Sequence, residues 1–253
     1  HVIGVGRGRA NLVHAVEAGM VDEILQDPLV AVADVDLVVL ATPVDAAVEL
    51  LRGLVVAAPV RAVFTDVGSV KQPIVTAAGA CGIATRFVGG HPIAGGTATG
   101  AAAADADLFR GRTVVLTPAP DGDPAACATV RALWESTGAS VIEMTAARHD
   151  EILALTSHLP QFVAFALCAS VDRSGEIAPA LFGAGFRDTT RLALSDHEMW
   201  LAIARLNQDA IVRAMDGFST LWSELRTAVA GGDEAALRRI LQAARACKER
   251  SSP

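Results

Sequence analysis

The segment DLVVLA at Asp36–Ala41, followed at once by Thr42 and Pro43, decides how the first half of this chain folds. A run of Val and Leu bounded by an acid on one side and a turn on the other fits a short strand buried on both faces. The residues after it, Asp45–Leu51, have helical spacing. The same unit recurs at RAVFTD, Arg61–Asp66, with a helix expected from Lys71 to Ala80. Upstream, His1–Val5 reads as a strand and Asn11–Leu25 as a helix. Downstream, Arg86–Gly89 and Thr113–Thr117 read as short strands, Ala125–Gly138 as a helix and Ser140–Met144 as a last strand. Strand–helix alternation predicts an α/β Rossmann-type domain, a parallel sheet with helices on both faces that binds ligands at the carboxyl ends of its strands.

After His149 no convincing strand remains, and long apolar-periodic helices run to Arg250. The expected organisation is a dinucleotide-binding domain over residues 1–147 and an all-α dimerisation and substrate domain over 148–253. Glu151–Val171 reads as one helix, apolar on most faces, which predicts burial. So much apolar helix predicts burial against a second copy, hence a homodimer through the helical half.

A net charge of −7 argues against nucleic acid as a partner. No apolar run reaches the roughly 18–20 residues of a membrane span, so no membrane association is expected. Cys81, Cys127, Cys168 and Cys247 are scattered without a C-x-x-C pair. Neither a metal site nor a disulfide framework is expected, and free thiols suit a cytoplasmic protein. The chain begins inside an apparent strand, so a first strand is expected to precede His1.

Gly4-Val5-Gly6-Arg7-Gly8-Arg9 invites comparison with the dinucleotide fingerprint G-x-G-x-x-G. The third glycine would fall at Arg9, or at Asn11 if counted from Gly6. The region where a ribose-binding strand should follow, Val21–Pro28, reads as a helix end and a turn. His1–Val5 reads better as the second strand of a nucleotide fold, with the phosphate loop expected before His1. Gly6 then stands at the strand tip, where an acid would meet the ribose of NAD. Arg7 and Arg9 offer guanidinium groups to a 2′-phosphate, which favours NADP while leaving NAD possible. A solvated turn is the competing reading.

Further loops fall at strand carboxyl ends. Ala41-Thr42-Pro43 lets backbone pass close to a cofactor. In Thr65–Lys71 (TDVGSVK), Ser69 stands where a helix should begin, and reads as an N-cap, a cleft hydroxyl, or both. In Gly89–Gly95 (GGHPIAG), His91 reads as the occupant of a tight irregular turn. With an ordinary pKa near 6.5 it would be a competent base at neutral pH. In the helical half, TSHLPQ (Thr156–Gln161) places His158, a proline and Gln161 inside an apolar helix, which is costly unless used. Gly183–Arg191 reads as a flexible loop whose Arg187 and Arg191 suit a carboxylate. Ser195-x-x-Glu198 reads as a structural capping box.

DVGSVK, GGHPIAG, DLFRGRTVVLTP, TSHLPQ and GFRDTTRLALSD, in this order, resemble the signatures of the prephenate/arogenate (cyclohexadienyl) dehydrogenases over essentially the whole chain. The resemblance implies a nicotinamide-dependent oxidative decarboxylation in tyrosine biosynthesis, with substrate between a Rossmann-type and a helical dimer domain. Matched position by position, it implies His91 as the base for the ring hydroxyl and Ser69 as its helper. It implies Arg191 as the grip on the ring carboxylate and His158 as the first histidine of an H-L-P-H element. Gln161 replaces the second histidine of that element. Gly96-Thr97-Ala98-Thr99 stands where relatives carry an acid. The competing readings are a different two-domain dehydrogenase, such as a 3-hydroxyacid enzyme, and a non-catalytic nucleotide or aromatic-ligand sensor. The first would want a lysine in Glu151–Val171, and there is none.

Overall fold

The computed structural model describes residues 1–95 and 100–250. The departure noted at Gly96–Thr99 lies outside the described residues. The elements run β1 (Ile3–Val5), α1 (Arg9–Glu17), β2 (Glu23–Leu25), α2 (Pro28–Ala31), β3 (Leu37–Leu40), α3 (Val44–Ala57), β4 (Val63–Asp66), α4 (Gln72–Ala80), β5 (Phe87–Pro92), β6 (Thr113–Pro118), α5 (Pro124–Ser136) and β7 (Ser140–Glu143). Helices follow: α6 (Ala146–Leu153), a π-turn (Ala154–His158), α7 (Leu159–Asp172), α8 (Ala184–Thr190), α9 (His197–Leu206), α10 (Gln208–Gly231) and α11 (Glu234–Arg250).

Among the described residues the strands form two sheets. β1 and β2 pair in parallel, and β3-β4-β5-β6-β7 form a five-stranded sheet in that order. β3, β4 and β5 are mutually parallel, but β6 runs antiparallel to β5. The expectation of a wholly parallel sheet fails at that pair. β2 also corrects the helix expected over Asn11–Leu25: Gly19, at φ +69°, ends α1 early and turns the chain into a strand.

The core is built as the sequence pattern requires. Val44, Ala47, Leu51 and Leu54 recur at helical spacing on one face of α3 and are buried against Leu40, Phe64 and Ile74. α5 does the same on the far side of the sheet with Ala126, Val130 and Trp134. It starts at Pro124, with Asp123 accepting from Ala125 N at 2.8 Å. Burying each large side chain contributes about 1.5–3 kcal/mol.

A third apolar cluster joins the halves. Val70, from the loop after β4, is buried among Ala154, Trp200, Ile203 and Ile211 of the helical half. The helical half departs from its sequence reading in three ways. Glu151–Val171 is not one regular helix, because the π-turn interrupts it just before Pro160. Proline cannot donate to the preceding turn, and a widened turn accommodates it. Ala146–Asp172 is by length and composition apolar enough to cross a membrane, against the expectation that no run qualifies, although it carries the buried Asp150 and His149. Finally, α9 is capped by Asp196, which accepts from Glu198 N at 2.8 Å, and not by Ser195.

Candidate active site

The site lies at the carboxyl ends of β4 and β5, where α6 and the π-turn close over the sheet. β5 is unusual because its last four residues are GGHP. At Gly90 an added Cβ would lie 2.6 Å from the Asp66 carbonyl oxygen, so β4 and β5 approach too closely there for any side chain. His91, next in line, pairs with Val115 of β6 and is part of the strand, not of an irregular turn. The ladder to β6 fixes its backbone.

Beneath it is a buried ion pair between Lys71 and Asp66. Lys71 Nζ also donates to Gly90 O at 2.8 Å, while Asp66 accepts from Gly68 N at 2.9 Å and Gly90 N at 3.1 Å. These bonds pin the loop after β4 to the glycines of β5. Burial holds the Lys71 ammonium below its usual range, and the Asp66 carboxylate offsets part of that effect.

Above it is Asp150 of α6. Its Oδ1 accepts from Lys71 N and its Oδ2 from Gln72 N, both at 2.8 Å. Asp150 therefore caps α4 from the other half of the molecule, a place where a carboxylate also meets the positive end of the helix. The expected Ser69 cap is not formed: no side chain of the preceding loop caps α4. Ser69 is left half-buried on that loop.

His149 Nδ1 lies 2.7 Å from Asp150 Oδ1, and His149 Nε2 lies 2.8 Å from His91 Nδ1. The His91 pKa is pushed down to about 2 by burial first, then by His149, Lys71 and His158. His91 is thus neutral, with a pKa well below the ordinary value expected from sequence. His158 is lowered to about 4, again mainly by burial. Asn207 Nδ2 donates to Asp150 O at 2.9 Å and faces His158 Nδ1 at 3.2 Å. His158 Nδ1 therefore accepts and Nε2 carries the proton, and this buried Nε2 has no partner.

The remaining sequence candidates sit further out. Gln161 is buried, and its Nε2 donates to Leu192 O at 2.6 Å, bracing the 3₁₀ turn Arg191–Leu194. Arg191 begins that turn, is exposed, and has no ion pair among the described residues. Arg187 is on α8, so its segment is a helix and not a flexible loop, and its guanidinium donates to Phe182 O. Gly6, Arg7, Arg9, Ala41, Thr42 and Pro43 are all exposed at the ends of β1 and β3. The helices that start there, α1 and α3, have no capping side chain. The uncapped N-terminus of α1 beside the exposed end of β1 fits the anionic part of a dinucleotide, whereas at α3 Ala46 N already donates to Asp45 Oδ1 at 2.9 Å.

The sequence reading missed His149, Asp150 and Asn207. The signal available for the first two was an adjacent titratable pair just ahead of the long apolar run that carries His158.

Comparison with known proteins agrees with this build. Residues 1–143 match the family model of the prephenate dehydrogenase nucleotide-binding domain, and residues 145–243 that of the prephenate dehydrogenase dimerization domain. Prephenate dehydrogenase of Bacillus subtilis is 33% identical over 250 residues, 96% of this chain and 67% of that protein. The structure of prephenate dehydrogenase from A. aeolicus in complex with hydroxyphenyl propionate and NAD+ aligns with a TM-score of 0.91 and 31% identity, covering 99% of this chain and 88% of that one. Synechocystis arogenate dehydrogenase aligns with a TM-score of 0.85 and 31% identity, over 99% and 91%. With a nucleotide-binding half and a helical half both matched in order, this chain belongs to the prephenate dehydrogenase family of oxidoreductases.

Proposed function

We propose that this chain oxidatively decarboxylates arogenate, or both arogenate and prephenate, with NADP or NAD as hydride acceptor, in tyrosine biosynthesis. The observation that carries the reading is His91, a neutral imidazole near the carboxyl end of β5, held by hydrogen bonding between the nucleotide-binding strands and the helical half. The nicotinamide, when bound, supplies the hydride acceptor. The protein's share is to take the proton of the ring hydroxyl at His91 Nε2 while the ring carboxylate leaves as CO2 and the ring becomes aromatic. A positioned general base typically contributes about 10²–10⁴-fold.

Arg191 is the group for the ring carboxylate, since its guanidinium is unpaired among the described residues and its turn is braced by Gln161. Ser69 offers a hydroxyl on the loop pinned to β5. The unpartnered His158 Nε2 offers a buried donor to the substrate. Gln161 is neutral and its amide nitrogen is engaged with Leu192, so it adds no positive charge for the keto acid of prephenate. That favours arogenate, which carries an ammonium there. Arg187, on α8, which leads into the Arg191 turn, is a secondary candidate for the substrate.

The domain division is residues 1–147 and 148–253. The helical half forms a homodimer: Leu155, Leu221, Trp222, Val229 and Leu241 are exposed apolar side chains that a second copy would cover. A stable monomer by sedimentation at micromolar concentration would contradict this. The free cysteines fit a cytoplasmic enzyme.

The test is kinetic: prephenate and arogenate, each with NAD and with NADP. Turnover of at least one pair is expected. No turnover in any of the four removes the reading, and strict use of prephenate removes the argument from Gln161.

A further inference from the structure

Asp150 accepts backbone hydrogen bonds at both carboxylate oxygens, from Lys71 N and Gln72 N, each at 2.8 Å. A carboxylate so occupied is an acceptor only. His149 is fully buried and its Nδ1 lies 2.7 Å from Asp150 Oδ1, so Nδ1 must carry the proton. His149 Nε2 is then a bare lone pair. His91 Nδ1, 2.8 Å away, must donate to it. This leaves the bare nitrogen of His91 at Nε2. One carboxylate thus sets two tautomers in series.

We propose that His149 and Asp150 are positioning residues for the base: Asp150 orients His149, His149 holds His91 with Nε2 free, and His149 takes over the positive charge when His91 accepts a proton. The inference rests on the reading of His91 as the base. The proton balance closes without any other reactant. One proton arrives at His91 Nε2, the Nδ1 proton of His91 passes to His149 Nε2, and His149 keeps its own Nδ1 proton. His91 ends neutral and His149 ends as the cation beside Asp150. No electron changes hands.

The surroundings explain why the charge should move. The groups facing His91 are His149 and Asp150 of α6, Lys71 before α4, Asp66 of β4 behind Lys71, and His158 of the π-turn. Lys71 is cationic and already paired with Asp66, and His158 turns its protonated nitrogen away from Asn207. A charge resting on His91 therefore meets Lys71, whereas a charge on His149 meets the Asp150 carboxylate directly. Two coupled rings titrate as a unit, so the pH profile reports the pair and not either residue alone.

Two variants separate positioning from packing. His149→Leu removes both the acceptor for His91 and the site for the charge. His149→Gln keeps an acceptor, because its amide oxygen can receive the His91 Nδ1 proton, but it cannot be protonated. The first readout is nitrogen NMR of the imidazole rings in the intact chain. Wild type should show His91 protonated at Nδ1 only. That pattern should persist in His149→Gln and be lost in His149→Leu. The second readout is kinetic. His149→Leu should lower kcat by about 10²-fold. His149→Gln should restore KM but recover only part of kcat, with the acid limb of kcat moved to lower pH.

Wild-type His91 protonated at Nε2 overturns the proposal, and so does a kcat within a few-fold of wild type in His149→Leu. Full recovery of kcat and its pH profile in His149→Gln leaves orientation but overturns the transfer of charge. If wild type turns over neither substrate, the proposed function fails, while the ring tautomers still decide the positioning. If His149→Leu does not fold, His149→Gln carries the test alone.

Discussion

Around His91, the polar groups Lys71, Asp66, His149 and Asp150 are buried and each is bonded to another member of the set. At the carboxyl end of β1, Arg7 and Arg9 are exposed, and neither side chain has a hydrogen bond or ion pair among the described residues. The first region is organised before any ligand arrives, so its groups need no reorientation during the chemical step. The second has nothing to hold until a charged ligand reaches it. Substitutions should therefore act in different ways: on stability and kcat in the first region, on the choice of cofactor in the second.

The largest effect is expected where two charges share a dry site. Lys71→Met would leave the Asp66 carboxylate buried with only the Gly68 and Gly90 N–H groups for company. Breaking a buried pair from one side costs about 3–5 kcal/mol. Urea unfolding should show a loss of that order, because Lys71 also ties the loop after β4 to β5 through Gly90 O. A loss below about 1 kcal/mol would mean that this region is not held by its ion pair.

Next comes His91→Asn, which should lower kcat by about 10²-fold or more and leave KM little changed. Activity within a few-fold of wild type would remove His91 from the chemistry. The same residue leaves a signature in stability. Its folded-state pKa, about 2, lies below the ordinary 6.5, and that of His158, about 4, does too. Below pH 6.5 the unfolded chain takes up protons that the folded chain refuses, so stability is fully present above 6.5 and falls as pH drops. His91→Asn should make that fall shallower when unfolding midpoints at pH 7.5 and 5 are compared. An unchanged difference would show that His91 is not held neutral by the fold.

Arg191 is intermediate, since an exposed guanidinium sits on a turn fixed from below by the buried Gln161. Arg191→Ala should raise KM for the dienyl substrate by about 10-fold, the loss of one charge-assisted pair. Unfolding should be unaffected. A fall in cofactor affinity with unchanged substrate KM would move Arg191 to another site.

The two regions also differ in how much of them the sequence discloses. The strand–helix alternation around DLVVLA is local, and β3, β4 and α4 lie where the pattern puts them to within two residues, while α3 starts as expected and runs past Leu51 to Ala57. The antiparallel pairing of β5 with β6 has no local pattern, and it is what converts His91 from an apparent loop residue into a strand residue. Asp150 capping α4 is invisible for the same reason: 79 positions separate it from Lys71. Ser69 and Ser195 are sound caps by residue type, but a carboxylate available in space, Asp150 in one case and Asp196 in the other, takes the role. Around Arg7 and Arg9, by contrast, neither arginine side chain has a hydrogen bond or ion pair among the described residues, so their chemistry can be read from residue type alone.

That reading gives the smallest and most separable effect. Gly6 has no side chain to accept from a ribose hydroxyl, while Arg7 and Arg9 can donate to a 2′-phosphate. NADP should therefore be preferred over NAD by about 10-fold in kcat/KM, and replacing both arginines by Ala should erase most of the preference. Gly6 tolerates the opposite change. An added Cβ there would meet Leu12 Cδ2 at 3.5 Å, an ordinary contact, so Gly6→Asp can place a carboxylate at the tip of β1 without moving the backbone. Combined with the loss of both arginines, it should turn the preference towards NAD, because the carboxylate accepts from ribose hydroxyls and repels a 2′-phosphate. None of these three substitutions should shift the urea midpoint, since each residue is exposed and neither arginine side chain is bonded among the described residues. Equal kcat/KM for NAD and NADP in the wild type would sink the argument from the arginines. A loss of stability in the double arginine variant would show that the exposed end is tied into the fold after all, and the contrast between the two regions would then disappear.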